Sequence, residues 1–190
     1  LKFFYDFETR FQSKIFSKII NLIPVKAFYR LGRFRIPYKN KATRILEYGF
    51  GNGGEISHFL SLGWEVEGTE LSEDNCKNLS NLLKIKTYKT IDHNVPVENN
   101  YFDAVYSNQV LEHVSDPTKL LNEFYRILKP GGELILSFPN FNCMQRIIFR
   151  EKWRGVEAPR HLHFFTKDTT KKILKKSGFK IDHLSSVSLS

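Results

Sequence analysis

Glu47, Gly49, Gly51 and Gly53 stand at alternate positions, and a second acid, Glu70, closes the next apolar run. Glycines let a chain turn tightly and bring backbone N–H groups close to a ligand. A carboxylate at the tip of a second strand is a partner for the two hydroxyls of a ribose. Together these residues read as a nucleoside-cofactor site. Gly49, Gly51 and Gly54 also satisfy the dinucleotide spacing G-x-G-x-x-G, a weak signal when it stands alone. Glu47 is the discriminating residue. Two positions before the first glycine, its charge opposes the pyrophosphate of a nicotinamide dinucleotide. It suits a ligand that has no phosphate and a cationic amino-acid end.

Such residues work only if strands and helices hold them at one end of a sheet. The sequence predicts strands near 43–48, 64–69, 86–91, 102–107 and 133–138, with helices near 53–62, 72–84, 116–128 and 166–177. This alternation specifies an α/β fold: a Rossmann-like, doubly wound, mostly parallel sheet with helices on both faces. Asp116-Pro117 is a helix entry, the acid as N-cap and the proline in the first turn. Gly178 closes the last helix, and Phe179–Leu184 is expected to begin a sixth strand.

The run Glu47-Tyr48-Gly49-Phe50-Gly51-Asn52-Gly53 resembles the first motif of the class I S-adenosylmethionine-dependent methyltransferases. Further blocks continue the resemblance in order: Asp92-His93-Asn94-Val95-Pro96, Tyr101–Asn108, Leu111-Glu112-His113-Val114, and Leu128-Lys129-Pro130-Gly131-Gly132. Trp153-Arg154-Gly155 and Pro159-Arg160-His161-Leu162-His163-Phe164-Phe165 look like a branch associated with sugar, lipid or quinone tailoring. The resemblance implies S-adenosylmethionine as cofactor. It implies that Gly49, Phe50, Gly51 and Gly53 line the methionine end, with Glu47 on its ammonium group, directly or through water. Glu70 then takes the ribose hydroxyls, Leu71 lies against adenine, Asp92 accepts from the adenine amino group with His93 beside it, and Ser107 and Asn108 floor the sulfonium. The family's sheet normally carries a seventh, antiparallel strand, which the sequence shows as absent or incomplete; a partner at that sheet edge, such as a second copy, is one expectation.

Methyl transfer from a sulfonium is an in-line displacement in which positioning supplies most of the rate. A hydroxyl acceptor usually needs a base as well. His113 and His161 are the candidates, although a Glu-His pair at 112–113 also serves to tie a helix to a loop. Arg160 suits an acceptor carboxylate or phosphate, and Trp153 suits a pocket wall or the core. No Cys/His spacing suggests zinc, and no metal site is expected. The expected activity is methylation, at oxygen, of a small-molecule or lipid- or sugar-linked acceptor. The alternatives are a non-catalytic S-adenosylmethionine-binding module and an NAD(P)-dependent oxidoreductase.

At 190 residues the chain has room for one domain with a full core. Two cysteines imply no disulfide framework, and a reducing cytoplasm is the expected setting. No apolar run reaches bilayer length, and no secretory signal is legible at the N-terminus. Charge divides the chain unevenly. Residues 1–44 hold eleven Lys or Arg against Asp6 and Glu8, so the whole net charge of +9 lies there. Phe3, Phe7, Phe11, Ile15, Ile19 and Ile23 recur every fourth residue beside Arg10, Lys14 and Lys18. The reading is a basic, aromatic helical arm over 1–42 attached to a cofactor-binding domain over 43–190. Its apolar face packs on the domain as a lid, or residues 1–36 rest on an anionic membrane surface or meet a lipid-linked acceptor. Nucleic acid is not expected, since no RNA-binding module accompanies the charge.

Overall fold

The computed structural model describes residues 44–186, so the arm over 1–42 lies outside the described residues. Five strands form one sheet: β1 (Arg44–Tyr48), β2 (Glu65–Glu70), β3 (Lys86–Lys89), β4 (Phe102–Asn108) and β5 (Leu128–Ser137). Five helices accompany them: α1 (Gly54–Ser61), α2 (Glu73–Leu83), α3 (Pro117–Ile127), α4 (Met144–Phe149) and α5 (Lys167–Lys176). All neighbouring strands run parallel, in the order β3-β2-β1-β4-β5. The chain moves outward from β1 to β3, then returns to the other side of β1. That reversal opens a crevice at the carboxyl ends of β1 and β4, where open α/β sheets bind ligands.

Side chains alternate across the sheet, and each face has its own core. Ile45, Ala104 and Ile135 join Phe50, Ile56, Phe59, Trp64 and Leu79 on one side. Leu46, Val105, Leu134 and Leu136 join Leu120, Phe124, Ile127 and Phe138 on the other. With both faces covered, central strands read as continuous apolar runs rather than alternating ones. The helices start where side chains satisfy free N–H groups. Ser72 caps α2, Asp116 caps α3 with Pro117 in the first turn, and Thr166 and Thr169 form a reciprocal capping box on α5. Each such cap contributes about 1 kcal/mol.

The structure departs from the expected elements in three places. β3 ends at Lys89, two residues early, because Ile91 and Asn94 close a tight turn with Asp92 and His93 both at positive φ. β5 begins at Leu128, since Lys129–Gly132 is absorbed as a bulge: Phe102 pairs with Leu128, and Ala104 pairs next with Glu133. The expected sixth strand over 179–184 does not form among the described residues. Phe179 instead packs edge-on against Tyr125, and Ile181 and Leu184 rest on the core, so side chains rather than a ladder hold the segment. Beside the end of β5, a short parallel bridge joins Asn140 to Phe165.

Candidate cofactor and acceptor site

The glycine turn is held from both sides. The N–H groups of Gly49 and Phe50 both donate to the Thr69 carbonyl oxygen at the end of β2. Gly49, Gly51 and Gly53 all have positive φ, a region in which a side chain is strained. A Cβ on Gly49 would lie 2.6 Å from Val110, and one on Gly53 would lie 2.6 Å from Leu79. At Gly51 nothing lies within 4 Å, so this turn has one open side, facing away from the protein's own packing. Phe50 differs from its glycine neighbours. Its ring is buried against Gly68, and only its backbone belongs to the turn.

Glu47 lies directly under this turn and is 4 % exposed. One carboxylate oxygen has no hydrogen-bond partner among the described residues, and the Ile56 backbone at the start of α1 supplies a donor to the group. Burial, with the nearby charges of Glu55 and Glu70, pushes its pKa up to about 8. A buried carboxylate with an orphaned oxygen beside an open glycine turn is chemically incomplete. An ammonium group would complete it; a phosphate would not. The residues present therefore fit the aminoacyl end of S-adenosylmethionine.

Glu70, at the tip of β2, accepts from the Gly51 N–H at 3.0 Å and from the Leu71 N–H at 2.7 Å. Both of its oxygens thus hold backbone while keeping further lone pairs for a diol. Leu71 follows with its side chain 74 % exposed, and Ile91 stands similarly open next to it along the sheet, because the Thr90 N–H donates to the Glu70 carbonyl. Two bare apolar side chains at adjacent strand ends form a platform suited to a flat base. Sequence reasoning named Leu71 and missed Ile91, whose only signal was its place one residue past the third strand. Asp92 is exposed and ion-paired with Lys119 of α3, which holds its carboxyl below the ordinary range. His93 is the second positive-φ residue of the same turn. Ser107 is buried, and its hydroxyl donates to the Tyr48 carbonyl at 3.2 Å, tying β4 to β1. Asn108 is half-buried at the very end of β4.

The opposite wall is made by two irregular segments. Residues 109–113 leave β4 and pass over the glycine turn, where Val110 touches Gly49. Residues 153–163 then pack onto them: the Leu162 and His163 N–H groups both donate to the Glu112 carbonyl oxygen. This brings His113 and His161 together, ring centroids 4.7 Å apart and edge to face. His113 Nδ1 lies 2.8 Å from the Arg160 carbonyl oxygen, and His161 Nδ1 lies 2.8 Å from that of Gly155. A carbonyl only accepts, so each Nδ1 carries the proton and each Nε2 keeps a lone pair. Beside them Glu112 is 1 % exposed, and burial pushes its pKa up to about 8. Arg160 extends into solvent and pairs with Glu157, so its guanidinium is partly committed. Trp153 is buried and folded over Gly155, where a Cβ would lie 2.2 Å from the indole. Its ring braces the segment that carries His161. Glu112 was read in the sequence only as part of a block and its Glu-His pair; its burial, fixed by packing from a segment about fifty positions later, gave no signal there.

Comparison with known proteins bears on the family and the fold. The family described as "Methyltransferase domain" matches residues 19–184. A ubiquinone biosynthesis O-methyltransferase of Xanthomonas oryzae pv. oryzae is 30 % identical over 129 residues, 62 % of this chain and 54 % of that protein. A malonyl-[acyl-carrier protein] O-methyltransferase of Enterobacter lignolyticus is 28 % identical over 138 residues, covering 69 % of this chain and 51 % of its own length. The chain thus spans about half the length of these curated relatives. Among solved structures, an S-adenosylmethionine-dependent methyltransferase from Archaeoglobus fulgidus superimposes with a TM-score of 0.63 at 26 % identity, covering 82 % of this chain and 68 % of that one. A putative methyltransferase from Bacillus halodurans gives 0.63 at 18 % identity over 83 % of this chain and 69 % of its own, a likeness of fold alone.

Proposed function

This chain belongs to the methyltransferase-domain family, and on that premise we propose that it methylates an oxygen of a small-molecule or lipid- or sugar-linked acceptor. The observation that carries the cofactor half is Glu47: a buried carboxyl with an orphaned oxygen beside the open face of Gly51. S-adenosylmethionine supplies an activated methyl group on a sulfonium. The chain's own residues position and desolvate. Glu47 takes the ammonium, Glu70 the ribose hydroxyls, and Leu71 with Ile91 the adenine faces. Asp92 and His93 close the adenine edge, and Ser107 and Asn108 form the floor under the sulfonium.

The oxygen preference rests on the imidazole pair. With each Nδ1 committed to a carbonyl, the Nε2 atoms of His113 and His161 offer lone pairs to an acceptor hydroxyl. Removing its proton as the C–O bond forms leaves a neutral ether. The names of the two curated relatives, both O-methyltransferases, support the same choice. Arg160 and Trp153 shape the acceptor end. Residues 1–36 supply either a lid or contact with an anionic membrane, as their basic amphipathic pattern suggests. No helix among the described residues is long and apolar enough to cross a membrane.

Calorimetric titration with S-adenosylhomocysteine, with NAD as the control ligand, tests the cofactor half. Micromolar binding to the first and none to the second is expected, and the reverse result would overturn the assignment. Transfer of labelled methyl groups to a panel of phenols, carboxylic acids and amines tests the acceptor half. Label appearing only on nitrogen would sink the oxygen preference.

A further inference from the structure

We propose that Glu112, His113 and His161 form a binding site for a divalent transition-metal ion of the zinc class. One ligand atom from each of the three lies within 4.8 Å of the others. Ligands at bonds of ~2.1 Å lie no more than ~4.2 Å apart, so closing on an ion requires only small side-chain rotations. The donor set is two imidazole nitrogens and one carboxylate, the borderline ligands that first-row divalent ions prefer over calcium or magnesium.

Three independent features prepare the site. The Nδ1 atoms of both histidines bond to backbone carbonyls, at 2.8 Å in each case, which fixes the tautomer that leaves Nε2 for a metal. Glu112 is 1 % exposed, and apart from its own backbone N–H no described residue hydrogen-bonds to its carboxylate oxygens. To be ionised at such depth, this carboxyl requires a compensating charge. Finally, His161 Nε2 lies 3.7 Å from the second oxygen of the Glu157 carboxylate, whose first oxygen is paired with Arg160, so a further acidic group borders the site. A cation answers all three. The scaffold precedes the ion, because the Leu162 and His163 N–H groups already pin both segments at the Glu112 carbonyl.

Three protein ligands leave a coordination position open. With both Nε2 lone pairs engaged on the ion, the ion takes over the imidazoles' part: an acceptor hydroxyl bound at the open position becomes more acidic, its proton passes to water, its oxygen attacks the methyl carbon, and the C–S electron pair returns to sulfur. This use of the ion rests on the methyl-transfer reading above. The existence of the site does not.

Zn²⁺ titrated calorimetrically into the full-length chain tests the site, with Co²⁺ absorption in the visible as a report on geometry. One equivalent is expected to bind, with d–d bands developing in step. Loss of an outer-shell partner already costs ~10–100-fold in metal affinity, so His113→Ala and His161→Ala should each cost more than about tenfold. His58→Ala, on α1, should change nothing. Should either alanine variant fail to fold, Glu112→Gln keeps the shape and must still weaken Zn²⁺. Absence of saturable binding, or binding that these substitutions leave unchanged, overturns the proposal in favour of a protonated His161 paired with Glu157. Titrating S-adenosylhomocysteine into the same samples separates the two readings. Zn²⁺ binding without it removes the cofactor assignment alone, and its binding without Zn²⁺ removes the metal site alone.

Discussion

Each wall of the strand-end crevice buries one glutamate, and the two are made in opposite ways. Glu47 sits in the last turns of a central strand, two residues before the glycines, with the start of α1 supplying a donor. Glu112 sits in a loop and acquires its surroundings from a segment some fifty residues later. Burial raises the pKa of both to about 8. The desolvation is shared, but the remedy differs. On the cofactor wall a regular strand-turn-helix unit points backbone and charge at one small volume. On the acceptor wall two irregular segments must meet before any site exists. The first wall suits a ligand that never varies, and the second can be rebuilt for a new acceptor without disturbing the sheet.

The sharpest way to break this division is to attack the acceptor wall and measure both functions. His113→Ala and His161→Ala are each expected to lower turnover by about 10²–10⁴-fold, the usual contribution of positioned proton transfer. S-adenosylhomocysteine affinity should stay within about twofold. A parallel loss of cofactor binding would show that the two walls are one unit.

On the other wall the largest effect depends on pH. Folding raises the Glu47 carboxyl from 4.5 to about 8, so the folded chain binds an extra proton between those values. Stability therefore falls as pH rises through that window. Glu47→Gln removes its share of the dependence, while Glu112 keeps its own: urea midpoints of variant and native chain should coincide at pH 4.5 and favour the variant above pH 8, by on the order of 2–4 kcal/mol. The same substitution should weaken the cofactor, because the ammonium loses its counter-charge. In the native chain near pH 7, cofactor binding should release a proton, seen as a buffer-dependent heat.

Glu70→Ala should cost on the order of 2–3 kcal/mol of cofactor affinity, two charge-assisted hydrogen bonds being lost. Unchanged affinity in calorimetry would remove the ribose assignment. The smallest effect belongs to Ser107→Ala. Its hydroxyl is spent on the Tyr48 carbonyl, so about 1 kcal/mol of thermal stability should be lost with cofactor affinity unmoved. Weaker cofactor binding would show that the hydroxyl, and not the backbone alone, contributes to the floor of the site.

The same division explains what the sequence could disclose. Glu47, the glycines and Glu70 are set by local spacing, and a parallel sheet covered on both faces follows from helix-strand alternation, so these residues and the fold class were readable before folding was considered, while the order of strands in the sheet was not. Ile91 was not, because its exposure depends on where β3 stops, and that is decided by two positive-φ residues with no glycine to announce them. Nor was the 179–184 segment, whose Phe-Lys-Ile-Asp-His-Leu alternation suits a strand but is satisfied by packing on Tyr125 and the core. The meeting of Glu112 with His161 was the least legible of all. Nothing local to either residue encodes it; backbone hydrogen bonds to the Glu112 carbonyl create it.

The bonds from Glu70 to the Gly51 and Leu71 amides have a kinetic side. They hold the glycine turn in one shape beforehand, so the ordering entropy of that turn is met during folding rather than at each encounter. If Glu70 takes the ribose hydroxyls as proposed, it does so with its remaining lone pairs while both amide bonds stay in place, and capture requires no rearrangement of this turn. An enzyme that must shed its spent cofactor after every turnover gains from that arrangement, because the turn keeps its shape when the ligand leaves.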